Sequence, residues 1–174
     1  KVVALGEIGL DYYWDSTYKQ EQIAAFKRQL KLAEENKLPV VVHSRNAIQD
    51  TFDCIKSTSV KGVMHCFSGS LEMAREFVKI GFMLGVGGVV TYKNAKELKK
   101  VVESIDLDYL LTETDGPYLP PTPHRGKINY PKYIPLIVEE IAKIKRLNKE
   151  KVIKQIYENA AQLFAIRKDE THEN

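Results

Sequence analysis

Long apolar runs are missing from this chain. No stretch approaches the about 18 consecutive apolar residues of a membrane-spanning helix, so no span is expected. Cysteine is sparse as well. Cys54 and Cys66 are the two present, and they do not form a C-x-x-C pair. Two reduced thiols in a cytoplasmic protein are the expectation. A strong charge of either sign is also absent. The net charge of +3 is too weak alone to imply a nucleic-acid partner and is no obstacle to one. No secretory signal is visible. The chain opens at Lys1 rather than Met and enters strand pattern at once, which reads as a chain cut from something longer.

What is present is a set of short apolar runs that end in ligand-type side chains. Val2-Val3-Ala4-Leu5 precedes Glu7, and Val40-Val41-Val42 precedes His43. Gly62-Val63-Met64 precedes His65, and Tyr109-Leu110-Leu111 precedes Asp115. Side chains alternate faces along a strand. Leu5 with Glu7, Val41 with His43, Val63 with His65 and Leu111 with Asp115 are therefore expected to share faces. Parallel strands that end in carboxylate and imidazole on one side build a divalent-metal site. That donor mix suits Zn, Mn, Fe or Ni, and carboxylate-rich versions also take Mg. Hydrolysis is the leading reading.

Between these runs lie helical patterns. Ile23, Phe26, Leu30 and Ala33 form one apolar face, which a Thr17–Gln20 capping box would open. A helix is expected from about Ala47 to Lys56. Another follows Ser68-Gly69-Ser70 with Leu71, Ala74, Phe77 and Val78. A fourth strand runs from Phe82 to Val86. Asn94 with Glu97 caps a helix that buries Leu98, Val101 and Val102, and a fifth strand spans Tyr109 to Thr112. Two last helices carry Ile134, Ile137, Val138, Ile141 and Ile144, then Val152, Ile156, Ala160, Leu163 and Phe164.

Strand–helix units in series argue for an α/β fold with a parallel sheet. An open doubly wound sheet and a (β/α)8 TIM-type barrel compete. Polar ends on four of five strands favour the barrel, whose catalytic residues come from several strand ends. Five strands cannot close it. The reading is a single partial (β/α) barrel domain over residues 1–166, followed by a charged tail at 167–174.

Four segments in this order resemble the TatD family of metal-dependent deoxyribonucleases. They are Glu7-Ile8-Gly9-Leu10-Asp11-Tyr12-Tyr13, Val42-His43-Ser44-Arg45, His65-Cys66-Phe67-Ser68-Gly69 and Glu113-Thr114-Asp115-Gly116-Pro117-Tyr118-Leu119. Val86-Gly87-Gly88-Val89-Val90 and Asn159-Ala160 add to the likeness, which covers residues 2 to about 166. The resemblance implies a metallo-hydrolase barrel acting on DNA, largely by trimming ends. It implies Glu7 as the carboxylate bridging two metals, with His43, His65 and Asp115 as further ligands. The cofactors implied are divalent ions (Zn, Mg or Mn), up to two. The family also carries a His-x-His pair on its first strand. This sequence has none, and the pair would lie upstream of Lys1.

The remaining candidates surround that set. Asp115 is read as a ligand that also takes a proton from water, and Glu113, two residues earlier, as a partner to a ligand or one side of a structural ion pair. Arg125 and Asn129 lie in the proline-rich loop after the fifth strand, where a barrel shapes its substrate mouth. Arg125 and Arg45 are candidate phosphate contacts, because a planar guanidinium matches phosphate oxygens. His124 is open between loop packing and substrate contact. Tyr12, Tyr13 and Trp14 are placed on the rim, either stacking unpaired bases or packing the loop. Cys66, one residue beyond His65, is expected to face the other way.

The expected partner is DNA, single-stranded or at ends, read through its backbone more than its base edges. A small-molecule amidohydrolase or esterase on the same scaffold is the second reading. A catalytically inactive piece is the third, its exposed sheet edges covered by a missing N-terminal segment or by a second copy.

Overall fold

The computed structural model describes residues 2–166, and the expected tail at 167–174 lies outside them. Strands and helices alternate as the apolar pattern predicts. The strands are β1 (Leu5–Asp11), β2 (Val40–Arg45), β3 (Gly62–Met64), β4 (Met83–Val86) and β5 (Leu110–Thr112). The helices are α1 (Lys19–Glu35), α2 (Ile48–Ile55), α3 (Leu71–Lys79), α4 (Lys96–Ser104), α5 (Ile134–Lys145) and α6 (Lys149–Leu163). The five strands form one sheet in the order β1-β2-β3-β4-β5, every adjacent pair parallel. This is the α/β class expected, with a sheet that does not close on itself.

Helices α1, α2, α3, α5 and α6 pack on the sheet, and α4 packs between α3 and α5. Phe26, Leu30 and Ala33 of α1, Phe77 of α3 and Ile137 and Ile141 of α5 are fully or almost fully buried, together with Val40, Val42, Leu84 and Leu110 of the strands. Phe77 is the hub, with its ring against those of Phe52, Phe67 and Phe82. Asn159 is one of three buried polar side chains among the described residues, with Thr51 and Asn129. Its Nδ2 donates to the carbonyls of Leu107 and Leu110, so it ties α6 to the entry of β5.

Two helix starts differ from expectation. Helix α1 begins after Tyr18 with no side-chain cap; Thr17 instead donates its N–H to Asp15. Gln22, in the first turn of α1, exchanges two hydrogen bonds with the backbone of Asp11. Helix α4 begins after Ala95, also without a side-chain cap. Capping by Ser70 at α3 and by Asn148 at α6 does occur. Strand β5 is shorter than expected, because Leu107–Tyr109 winds into a 3-10 turn.

Candidate metal centre

The candidate residues gather at the carboxyl ends of the strands. Strand β1 reaches that end through an irregularity. Its register with β2 shifts between Gly6 and Ile8, so Glu7 is the unpaired extra residue. A bulge of this kind re-aims one side chain. Glu7 leaves the pleat, and its Oε1 lies 3.2 Å from Nε2 of His65.

His65 is the centre of the group. It follows β3, and its N–H still bonds to the Val42 carbonyl across the sheet. Its side chain is 13% exposed, against 49% for Glu7. Nδ1 lies 2.5 Å from Oε2 of Glu113, and Nε2 lies 3.4 Å from Oδ1 of Asp115. Three carboxylates therefore surround one imidazole. The bond to Glu113 pushes its pKa up to about 9 against the opposing effect of burial, with Glu7 and Asp115 adding to the rise. A place where a proton is held this firmly is a place built for positive charge.

Glu113 is committed to positioning. One oxygen takes the His65 ring, and the other accepts the backbone N–H of Cys66. It reaches there because β4 has Gly85 beneath it; a Cβ at Gly85 would stand 2.7 Å from Glu113 Oε2. Its contact with His65 is compatible with both expected roles, partner to a ligand and one side of an ion pair. A carboxylate on Nδ1 fixes the tautomer and leaves the Nε2 lone pair for a cation.

Asp115 lies beyond the end of β5, in a left-handed backbone conformation with φ 55°. The alternation argument does not hold there, since the strand stops at Thr112. The turn, not the pleat, aims Asp115. Cys66 departs from expectation for the same reason. Its φ of 45° turns the side chain back, and its sulfur lies within 4.8 Å of ligand-type atoms of His65 and Glu113. That trio is not a convincing ligand set. Glu113 and Nδ1 are already bonded to each other, and burial pushes the Cys66 thiol pKa up, reinforced by Glu113, Asp115 and Glu7. On the far side of the ring Nε2 faces oxygens of Glu7 and Asp115, at 3.2 and 3.4 Å, the mix of nitrogen and carboxylate donors that suits a divalent cation.

His43 is placed differently. Its Nε2 bonds to Oδ2 of Asp11 at 2.9 Å, not to any member of the His65 group. Asp11 is opposed by burial, yet the Tyr13 N–H, the His43 ring and the Arg45 charge hold its carboxyl below the usual range. As a carboxylate Asp11 accepts, so Nε2–H of His43 donates to it. Asp11 is the residue that sequence reasoning left without a role. The signal was available: Gly9 pairs with His43 and Asp11 with Arg45 across the β1–β2 ladder, so Asp11 sits one pleat beyond His43.

Other expected substrate contacts resolve in both directions. Asn129 is 3% exposed, and its Nδ2 donates to the carbonyls of Thr114 and Tyr118. It clasps the loop that carries Asp115. Tyr12 donates its hydroxyl to Asp50 at 2.9 Å, and burial with that bond pushes its pKa up to about 12. It braces β1 against α2, and Lys19 lies over one face of the ring. Arg45 and Arg125 stay at the surface. Arg45 stacks on Tyr13 and Arg125 on Tyr92, at 3.6 and 4.2 Å from the ring centres. His124 stacks on Tyr133, the loop-packing alternative.

A cleft of about 610 Å3 opens elsewhere, lined by Lys37, Pro39, Lys61, Met83 and Tyr109 among others. These residues stand at the amino ends of the strands. It contains no histidine, and the chemistry lies at the other end of the sheet.

Residues 1–165 match the family model described as TatD related DNase. The chain belongs to the TatD family. Among its TatD relatives is YabD of Bacillus subtilis, named an uncharacterized metal-dependent hydrolase, 47% identical over 95% of this chain and 66% of its own length. YcfH of Escherichia coli, named in the same way, is 40% identical over 95% of this chain and 63% of its own. The chain thus spans about two thirds of the length of the curated relatives it matches, 66% for YabD. The crystal structure of YJJV, a TatD homologue from Escherichia coli, superposes with a TM-score of 0.90 at 34% identity, covering 95% of this chain and 65% of that one. The sheet described above is therefore that of a TatD fold.

Proposed function

We propose that this chain carries the catalytic part of a metal-dependent phosphodiesterase acting on DNA. The observation that carries the reading is the convergence of Glu7 and Asp115 on Nε2 of His65, with Glu113 holding the opposite nitrogen. Glu7, His65 and Asp115 would hold a divalent cation, and Nδ1 of His43 is a further donor on the neighbouring strand. The mixed nitrogen and oxygen set suits Zn or Mn, with Mg favoured only if carboxylates dominate. When bound, such an ion supplies Lewis acidity toward a phosphoryl oxygen and toward water.

The chain's own residues do the rest. Asp115, at the surface of the turn, orients the attacking water and takes its proton. Glu113 keeps the His65 ring fixed, so that the donor set is preorganised. Arg45 and Arg125 present planar N–H groups to the remaining phosphate oxygens and offset charge that builds there. Contacts of this type read the backbone, so little base preference is expected. The family description speaks of a DNase, and the relatives' names speak of a metal-dependent hydrolase without naming a substrate.

The test combines metal binding with turnover. Calorimetric titration of Zn and Mn is expected to show tight binding that His65→Ala removes. Labelled single-stranded DNA is expected to be cut, and the same variant to lose most of that activity. Unchanged metal content and turnover in the variant would refute the assignment. Cleavage of small esters or amides in preference to DNA would replace the substrate class and leave the metal centre standing.

A further inference from the structure

The loop after β1 carries aromatic surface that the chemistry above does not use. Trp14 is 80% exposed and Tyr13 51%. Their rings meet edge to face at 4.9 Å and 88°. The Arg45 guanidinium lies 3.6 Å from the Tyr13 ring centre and 5.6 Å from that of Trp14. Arg45 makes no carboxylate ion pair within 4.0 Å among the described residues, although Asp11 feels its charge. The arginine is held by rings, not by an acid. Its outward N–H groups are free for an external anion.

The position of this shelf gives it meaning. Arg45 pairs in register with Asp11, and Asp11 holds His43. The shelf therefore abuts the candidate ligands at the carboxyl ends of the strands. On the other flank, across β4 and β5, Arg125 is held against Tyr92 in the same manner. Both arginines are thus held by rings, and the loop after β1 adds the exposed face of Trp14 beside its arginine, while Tyr118 is exposed on the side of Arg125.

We propose that Tyr13, Trp14 and Arg45 form a platform that stacks an unpaired base next to the phosphate held by Arg45, so that the site selects single strands or frayed ends over intact duplex. This rests on the phosphodiesterase reading and names its specificity element. Every base has a π-face, so a ring platform tolerates any sequence. A base inside a duplex has both faces covered by its neighbours and has none to offer. The cation beside the rings suits the phosphate that follows the stacked base.

Trp14 is the single tryptophan of the chain, so its fluorescence reports this shelf alone. The protein, kept with a chelator so that no hydrolysis intervenes, is titrated with short oligothymidylate. The comparison ligands are an abasic strand of equal length and a blunt hairpin. Saturable quenching by oligothymidylate, with little from the abasic strand or the hairpin, is expected. Trp14→Leu is expected to weaken oligothymidylate binding, read by anisotropy, about tenfold, and Arg45→Lys to weaken it while keeping the charge. Trp14 is so exposed that its replacement leaves the fold intact. Equal quenching by the abasic strand, or unchanged affinity in Trp14→Leu, overturns the platform. If oligothymidylate binds without disturbing Trp14, the platform fails and the phosphodiesterase reading survives. If no strand binds at all, the platform fails, and the phosphodiesterase reading stands or falls on the metal-binding and turnover test above.

Discussion

His65 concentrates the electrostatics of the molecule. With its pKa pushed up from 6.5 to about 9 by Glu113 and the neighbouring acids, the folded protein holds a proton that the unfolded chain releases earlier. The resulting stabilisation is complete below about pH 6.5 and is lost as the pH rises through about 9, because there the native state binds more protons than the unfolded one. The metal-free protein is therefore expected to show a falling melting temperature between those limits, measured by calorimetry, and His65→Gln to flatten the curve. A cation competes for the same nitrogen, so its binding near neutral pH is expected to release a proton. Glu113→Gln weakens the hold on Nδ1 and should lower metal affinity about 10–100-fold. An unchanged affinity would mean that Glu113 merely fills space.

At the scale of elements, the helix caps separate what sequence spacing can and cannot reveal. Asn148 accepts the Glu150 N–H at 2.8 Å, so Asn148→Ala is expected to cost about 1 kcal/mol. Thr17→Ala, at a start without a side-chain cap, should stay within about 0.5 kcal/mol. Denaturant titration checks both. The strand–helix rhythm was legible because its periods of two and 3.6 residues are set by burial, and Phe26, Leu30, Phe77 and Ile137 obey them. Glu7, His65 and Asp115 could be named from their places after apolar runs. Their aim could not. The bulge at Glu7 and the left-handed turns at Cys66 and Asp115 are decided by backbone geometry that no side-chain pattern encodes. The clasp made by Asn129 was hidden for a related reason. A polar residue in a loop reads as exposed until the carbonyls it clasps are known.

For the whole molecule, the open sheet has a physical consequence of its own. β1 and β5 are its two edges, and unpaired backbone groups along an edge invite another strand. Val2 and Val3, ahead of β1, add exposed apolar surface. Sedimentation velocity over a range of concentrations is expected to show self-association. A monomer at every concentration would mean that the edges are protected by their local twist and charge. The order of the sheet matters in time as well. Each strand neighbours the one made just before it, so the layers can assemble in step with ribosomal synthesis, without waiting for distant partners. The last step is different. The carbonyls at the entry of β5 gain their amide donor only when Asn159 has left the exit tunnel. A nascent chain halted short of that residue would carry Glu113 and Asp115 on a strand not yet fastened at its base.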